Sequence, residues 1–266
     1  MKNEEKYFSL INDILSTGEV RNAERTGTGT ISAFAKTLEI DVSNNTLPLM
    51  THRKMFPKGI IGELISFTKG FTNVADFQKA GCNYWNAWAK DDGDLGPIYG
   101  AQWRNFNNES VDQLRTVINE AKVNPQSRRL YVTAWNPAQA SEMSLVPCFC
   151  GFQLYVGTNG ELNMHVNMRS SDVIVGLPSD IAFHTLLMHL IANELERPLG
   201  KLVMSLTDAH IYNNHKNFAE SIFSLPIFEE PQLLVNKYAT VDDCSQDQIM
   251  ILQYNHGPKV NLEVSL

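Results

Sequence analysis

The sequence lacks long hydrophobic runs and a leader-like start. No stretch approaches the roughly 18 consecutive apolar residues that a membrane-spanning helix needs. The N-terminus, MKNEEKYFSLINDIL, carries acidic residues where a signal peptide carries basic ones. These absences predict a cytoplasmic protein with no membrane partner.

Positive charge is also scarce. The chain has 22 lysine and arginine residues against 29 aspartate and glutamate residues, which gives a formal net charge of −7. Broad electrostatic attraction to DNA or to an anionic membrane is therefore not expected. An anionic partner would have to be a small molecule held by a local cluster of basic side chains.

Cysteine is too sparse for a disulfide framework. The chain has four cysteines, and we expect them to be free thiols. Cys148 and Cys150 form a Cys-x-Cys pair that has no second pair at a useful spacing. The sequence therefore predicts no metal site.

Internal repeats, low-complexity tracts and linkers rich in proline, glycine or serine are absent as well. Residues 1–266 are therefore predicted to form a single domain. Candidate strands and helices alternate without a regular strand–helix–strand order. This pattern favours an α+β fold, in which a mixed sheet is packed with helices.

Apolar residues at helical spacing indicate four main helices. We predict helices over residues 3–16, 58–70, 110–122 and 181–195. The second is expected to end at Gly70, and the third to begin with a capping serine at Ser110. The fourth is apolar nearly all round, which predicts a central buried helix.

Short runs rich in β-branched and aromatic residues indicate the strands. We predict strands over residues 128–135, 148–156 and 161–168, and a longer one within 200–215 that leads into a polar, histidine-rich turn. The segment GTNG between the second and third runs predicts a hairpin. The tail, residues 231–266, alternates short apolar runs with acidic loops.

Cys148 follows a proline at the mouth of a predicted strand, in SLVPCFCGF. A thiol in this position can be presented to a cleft, where nearby arginines would lower its pKa into the nucleophilic range. The alternative is a buried structural cysteine, because free cysteine is among the most buried residue types. Cys150 is assigned a structural role.

Four arginines stand in loops beside serine, threonine and glycine, namely Arg25, Arg128, Arg129 and Arg169. The guanidinium group matches phosphate oxygens two at a time. In an acidic protein this placement suggests a phosphate pocket. The alternative for each arginine is a solvated surface position.

Three further positions carry groups suited to chemistry. Glu63 lies within an apolar helix, where burial would raise its pKa and suit it to proton transfer, unless it forms a structural ion pair. Asp180 precedes the predicted helix at residue 181, so it can cap that helix or contact a ligand. His210 and Tyr212 alternate along a strand, so they can bind sugar hydroxyls together or stabilise a turn.

Six segments occur in the same order as in thymidylate synthases and resemble them. They are ERTGTGT, DDGDLGPIYGAQWR, SRRLYVTAWNP, PCFCGFQLYV, MRSSDVIVGLPSDIA and TDAHIYNNH. The tail YNHGPKVNLEVSL also resembles the segment that closes over the folate in that family, so the resemblance covers nearly the whole chain. It implies a thymidylate synthase-like fold and 5,10-methylenetetrahydrofolate as co-substrate.

The resemblance also implies a role for each matching residue. The implied catalytic residues are the nucleophile Cys148, the proton-handling Glu63, Tyr99 and Asp180. The implied nucleotide-binding residues are Arg25, Arg128, Arg129, Arg169, Ser170, Asp180, His210 and Tyr212. The implied folate-binding residues are Asp172, Trp85, Trp88 and Gly176. Enzymes of this family are homodimers, so Arg128 and Arg129 are expected to act across the subunit interface.

Two positions depart from the family pattern. Asp180 stands where thymidylate synthases have an asparagine, whose amide matches the O4 acceptor and N3 donor of uracil. A carboxylate instead accepts a hydrogen bond from the 4-amino group of cytosine, and the family's cytidylate enzymes carry aspartate here. Phe149 replaces the histidine that usually follows the nucleophile.

These departures favour a deoxycytidylate 5-hydroxymethyltransferase, an activity that viruses use to prepare modified DNA precursors in an infected bacterial cell. A deoxycytidylate 5-methyltransferase is an alternative, because Trp85 and the closing tail would help to exclude water until hydride arrives. A thymidylate synthase acting on dUMP and a non-catalytic nucleotide-binding relative are further alternatives. The presence of Cys148, Glu63 and the arginines disfavours the last.

Overall fold

A computed structural model describes residues 2–22 and 27–264. Its helices, in chain order, are α1 (Asn3–Thr17), α2 (Pro57–Lys69), α3 (Val74–Ala80), α4 (Tyr99–Arg104), α5 (Gln113–Val123), α6 (Gly176–Leu195) and α7 (Lys216–Ser221). Its strands are β1 (Glu19–Arg21), β2 (Thr30–Asp41), β3 (Tyr131–Thr133), β4 (Phe149–Val156), β5 (Leu162–Met168), β6 (Ser171–Asp172), β7 (Leu199–Tyr212), β8 (Gln232–Val235) and β9 (Ile249–Leu252).

Most of the strands form one mixed sheet. Its order is β1-β2-β7-β5-β4-β3, and the short β6 also pairs with β7. β5 and β6 run parallel to β7, whereas the other neighbours are antiparallel. Because α6 joins the parallel strands β5 and β7, it is the crossover that such a connection requires. The predicted single-domain α+β fold, a mixed sheet packed with helices, is confirmed.

The two faces of this sheet differ in composition. One row of paired residues is fully buried across four strands, formed by Leu38, Met204, Val166 and Phe152. The adjacent row, one residue along each strand, is exposed or half-buried and is formed by Glu39, Val203, His165 and Gln153. Alternation places these rows on opposite faces, so one face is covered by helices and the other is open in the single chain.

Helix α6 is the centre of the core, as its composition predicts. Fifteen of its twenty residues are buried, which fits a helix that is apolar on every side. It begins at Gly176, five residues before the predicted start, because Pro178 is tolerated in a first helical turn. Asp180 therefore lies in the second turn, and the interpretation of Asp180 as a helix cap is wrong.

The other predicted helices are present with small shifts. α1 and α2 match the prediction, and Gly70 ends α2 in a left-handed conformation with φ of 72°. The predicted cap at Ser110 is wrong. Asp112 caps α5 instead, since its carboxylate accepts a hydrogen bond from the Arg115 backbone N–H at 2.9 Å.

The strand predictions hold for β5 and β7 and for the hairpin that joins β4 to β5. The run at 128–135 gives only the short strand Tyr131–Thr133, because β3 is an edge strand whose pairing with β4 ends at Thr133 and Gly151. Cys148 lies one residue before β4 rather than inside it. The tail contributes the two-stranded antiparallel sheet of β8 and β9.

All four cysteines are free thiols, as predicted. Across the described ranges, no helix is both long and apolar enough to cross a membrane. The same ranges contain no cluster of three or more histidine, cysteine, aspartate or glutamate residues that could hold a metal ion.

Candidate active site

Cys148 is held in place through its backbone. Its N–H donates to the Tyr99 hydroxyl oxygen at 2.7 Å, and its carbonyl accepts from the Arg169 N–H at 2.9 Å. Phe149 anchors the next position, since it is buried and its ring lies 4.3 Å from that of Tyr99. The thiol is thus presented at the end of β4 on a backbone that is fixed on both sides.

The charge environment of the thiol differs from the sequence-based prediction. Burial, and next the charge of Asp180, raise the pKa of Cys148, whereas Arg169 and the Tyr99 hydroxyl lower it. The net direction is upward, so the expectation that arginines lower this pKa into the nucleophilic range is wrong for the free chain. The reason is that only one of the arginines described lies close enough to oppose the burial.

Asp180 lies close enough to Cys148 for its charge to raise the pKa of the thiol. Its carboxylate oxygen lies near Gly176 one turn earlier, where an added Cβ would sit 3.8 Å from Oδ2. Among the described residues, no group donates a hydrogen bond to this carboxylate. Burial, and next the charges of Glu63 and Asp172, raise its pKa well above the usual range for aspartate. A partly buried carboxylate without a donor is costly, which suggests that a ligand supplies the donor.

Glu63 is held by two donors from the single-turn helix Tyr84–Trp88. The Tyr84 hydroxyl donates to Oε2 at 2.7 Å, and the Trp85 indole N–H donates to Oε1 at 2.6 Å. Burial raises the pKa of Glu63 to about 7, against the lowering effect of these two hydrogen bonds. The predicted structural ion pair is not formed with any described residue, and a carboxyl group with a pKa near neutrality suits proton transfer.

Asp172 shapes the entry to α6. Its Oδ1 accepts hydrogen bonds from the Ile174 and Val175 backbone N–H groups at 3.0 and 3.1 Å. The pairing of β6 with β7 places Asp172 opposite His210. This turn therefore brings the carboxylate, Gly176 and the His210 region to one edge of the site.

His210 and Tyr212 contact each other on β7, as their alternation predicts. Their ring centroids are 4.9 Å apart with an edge-on geometry. The His210 Nδ1 lies 3.4 Å from the Asp208 carboxylate, and a hydrogen bond from His210 lowers the pKa of that carboxylate. The pair lies at the end of β7, and Tyr212 makes no side-chain capping hydrogen bond to the single-turn helix that follows it.

The four arginines of the predicted phosphate pocket do not all lie beside Cys148. Arg169 lies at the site, where its guanidinium donates to the carbonyls of Pro147 and Val146 at 2.9 and 3.0 Å. Ser170 follows it directly and is half-buried. Arg25 lies outside the described residues.

Arg128 and Arg129 are exposed and lie just before β3. The Arg128 carbonyl accepts from the Gln153 side chain at 3.3 Å, and Gln153 lies five residues along β4 from Cys148. At about 3.3 Å per residue, Gln153 is about 16 Å along the strand from Cys148. Among the described residues, neither arginine side chain forms a hydrogen bond or ion pair with Cys148, Glu63 or Asp180, so one chain shows no link between these arginines and the site.

Aromatic rings line the remaining walls. The rings of Trp85 and Trp88 are 5.5 Å apart, and Trp85 is buried whereas Trp88 is half-buried. These rings, with the second oxygen of Asp172, offer a stacking surface and an acceptor. Such a combination fits a planar ring that has a polar edge.

Sequence reasoning missed two residues at the site, Tyr84 and His184. Tyr84 contacts Glu63 across 21 positions of sequence, which no local pattern reveals. His184 is fully buried, lies edge-on to Phe149 at 4.7 Å, and its Nδ1 lies 2.7 Å from the Asp180 carbonyl oxygen. Burial lowers the pKa of His184 to about 4, so its imidazole is neutral. The spacing of four residues from Asp180 was the available signal.

The arrangement combines a thiol, a carboxyl group poised near neutrality and a carboxylate without a donor around one polar space. It can add a sulfur nucleophile to a planar ring, move a proton and form hydrogen bonds with a polar ring edge.

The family model for thymidylate synthase matches residues 5–266. A curated relative, the thymidylate synthase of Corynebacterium aurimucosum, is 36% identical over 266 residues, which is 99% of this chain and 98% of the relative. The chain therefore belongs to the thymidylate synthase family, whose enzymes transfer a one-carbon unit from 5,10-methylenetetrahydrofolate to a pyrimidine nucleotide.

Proposed function

We propose that this protein is a deoxycytidylate 5-hydroxymethyltransferase, which converts dCMP to 5-hydroxymethyl-dCMP. The observation that carries the proposal is the Asp180 carboxylate, which faces Cys148 and has no donor among the described residues. Its position in the second turn of α6 removes the capping role that would otherwise account for it.

The hydrogen-bonding pattern of the base explains the choice of substrate. Cytosine presents a 4-amino donor and an N3 acceptor, so one Asp180 oxygen accepts from the amino group while a proton is shared between the other oxygen and N3. Uracil presents O4, and an ionised Asp180 would meet it acceptor against acceptor. An unmatched buried polar group costs about 1–3 kcal/mol. The raised pKa of Asp180 helps it to hold the shared proton at neutral pH.

The remaining residues have roles that follow from their positions. Cys148 adds to C6 of the base, which makes C5 nucleophilic towards the one-carbon unit that methylenetetrahydrofolate supplies. Asp180 holds the proton at N3 as electron density moves into the ring. Glu63 accepts the C5 proton, for which its pKa of about 7 suits it. Tyr99 fixes the backbone of Cys148 and lowers the pKa of its thiol.

Completion of the reaction by water gives the hydroxymethyl product, and completion by hydride gives a methyl group. Tyr84, which donates to Glu63, is 39% exposed, and a partly exposed side chain beside the acid favours the access of water. Buried Trp85 favours the second candidate, methyl transfer to dCMP, because its indole shields the other side of Glu63. The name of the relative, thymidylate synthase, favours methyl transfer to dUMP.

A product assay tests the proposal. The protein is incubated with methylenetetrahydrofolate and dCMP, dUMP or CMP, and the nucleotide product is weighed by mass spectrometry. We expect dCMP to gain CH2O. A gain of CH2 would establish the methyltransferase, turnover of dUMP alone would contradict the cytidylate substrate, and no turnover of any nucleotide would indicate a binding protein.

We further propose that the enzyme acts as a homodimer in which Arg128 and Arg129 bind the phosphate of the partner's nucleotide. The open sheet face and the separation of these arginines from Cys148 support this arrangement. A second copy that packs on that face by a two-fold axis would present its own arginines to the first chain. Together with Arg169, Ser170 and Arg25 they would complete the phosphate clamp.

Subunit complementation tests the shared site. Cys148→Ser and the double variant Arg128→Ala/Arg129→Ala are each expected to be nearly inactive. When the two are unfolded together and refolded, half of the dimers are mixed and each has one intact site, so about a quarter of wild-type activity should return. Mixing without unfolding is the control. Failure of activity to return after refolding, with the mixed dimer demonstrated by mass, would contradict action in trans.

A further inference from the structure

Tyr84 lies across helix α2 and ends at the carboxylate of Glu63. Its hydroxyl is 2.7 Å from Glu63 Oε2 and 3.4 Å from the Gly59 carbonyl oxygen. Gly59 and Glu63 are four residues apart, so they share one face of the helix. A Cβ at position 59 would lie 3.0 Å from the Tyr84 ring, closer than ordinary contact. The absence of a side chain at position 59 therefore leaves room for the Tyr84 ring to pack against α2.

Glu63 has both oxygens engaged but is not saturated. Tyr84 donates to Oε2, and Trp85 donates to Oε1 at 2.6 Å. Each carboxylate oxygen can accept two hydrogen bonds, so each retains one acceptor position for a water molecule or a substrate proton. The two donors therefore fix the plane of the carboxyl group and leave it able to act.

The groups facing Glu63 bring no positive charge. Cys82 and Tyr84 face it from the segment that follows α3, Tyr99 from α4, and Asp180 from α6. Hydrogen bonds from Tyr84 and Trp85 oppose the effect of burial on the Glu63 pKa, and no cation among the described residues does so. Removal of either donor leaves the ionised carboxylate with one hydrogen bond in a poorly solvated position.

We infer that Tyr84 is a positioning residue, which packs against Gly59 and holds Glu63 in its ionisable, reactive orientation. The inference rests on the proposed proton-handling role of Glu63. Tyr84 touches no reacting atom in this arrangement and acts only through the carboxylate.

Two variants test the inference. Tyr84→Phe removes the hydroxyl and keeps the ring. Gly59→Ala keeps the hydroxyl but places a methyl group in the space that the ring occupies. Alanine is a better helix former than glycine, so folding is not at risk. Hydrogen bonds stabilise the ionised form, so their loss raises the pKa. We expect both variants to raise the Glu63 pKa by about one unit.

The readout is the carbon-13 titration of the Glu63 carboxyl group in the full-length protein, assigned by the signal lost in Glu63→Gln. The second readout is the pH dependence of kcat, whose Glu63 limb should move to higher pH by the same amount while KM for the nucleotide changes less than twofold. Tyr238→Phe, which alters an exposed tyrosine in the tail, is the matched control and should move neither curve.

The two readouts separate the inference from the proposed function. An unchanged carboxyl titration in both variants would overturn the positioning role. A shifted titration with an unchanged kcat profile would support the positioning contact and would show instead that Glu63 does not handle the proton. Parallel shifts in both curves support the inference together with the proposed role of Glu63.

Discussion

Asp180→Asn is expected to bring dUMP into turnover and to reduce the preference for dCMP by about a thousandfold. The amide donates to O4 of uracil and accepts from its N3–H, so the acceptor-against-acceptor contact of an ionised Asp180 with O4 disappears. This change and the loss of the shared N3 proton in dCMP are each worth about 2 kcal/mol. Towards cytosine the amide cannot hold a proton at N3, so activation of C6 weakens. The measurement is the ratio of kcat/KM for dCMP to kcat/KM for dUMP.

The pH dependence of the same ratio gives an independent check. The pKa of Asp180 is raised, so the group is neutral below that pKa and can then donate to O4 of uracil. Turnover of dUMP should therefore fall as pH rises through this pKa, whereas the proton shared with N3 of cytosine is retained to higher pH. The ratio should rise with pH in the native protein and stay flat in Asp180→Asn.

Asp172→Asn is the matched control for Asp180→Asn. Asp172 is the neighbouring carboxylate, but its Oδ1 is committed to the turn before α6. Its replacement is expected to slow both substrates and to change the ratio much less than Asp180→Asn does, because Asp172 acts on the ratio only through the pKa of Asp180. A ratio that does not change in Asp180→Asn, or that changes equally in Asp172→Asn, would contradict base recognition by Asp180.

Cys148→Ser is expected to reduce turnover of every nucleotide by at least about a thousandfold. A serine hydroxyl in this partly buried position does not ionise, and burial already raises the pKa of the native thiol. The direct measurement is the mass of the denatured protein after incubation with 5-fluoro-dCMP and methylenetetrahydrofolate. Fluorine at C5 cannot leave as a proton, so the adduct should accumulate in the native protein and be absent from the variant.

Cys150→Ser is the companion control, two residues further along the chain. Its backbone carbonyl pairs with the Ala134 N–H, and the structure gives its thiol no contact with Glu63 or Asp180. Activity within about twofold of the native protein is expected. An adduct formed in Cys148→Ser and lost in Cys150→Ser would overturn the assignment of the nucleophile.

The four longest helices were predictable because their apolar periodicity is local. The ends were less so: α6 begins at Gly176 because a proline fits its first turn, and α5 is capped by Asp112, not Ser110. The edge strand β3 is short because pairing with β4, which is a non-local property, sets its length. The start of α6 has the largest consequence, because it places Asp180 in the second turn of the helix and not at its cap.

The sequence by itself determined the family and the α+β class, and it pointed to the candidate reactive groups, because the motifs that carry them are contiguous. Only the tertiary structure decided how those groups affect one another. The raised pKa of Cys148 arises from burial and from Asp180, 32 residues away in the chain, and the two donors on Glu63 come from a different segment. Desolvation and Coulomb interactions depend on distance through space, so the sequence shows that a carboxylate is present but not what surrounds it.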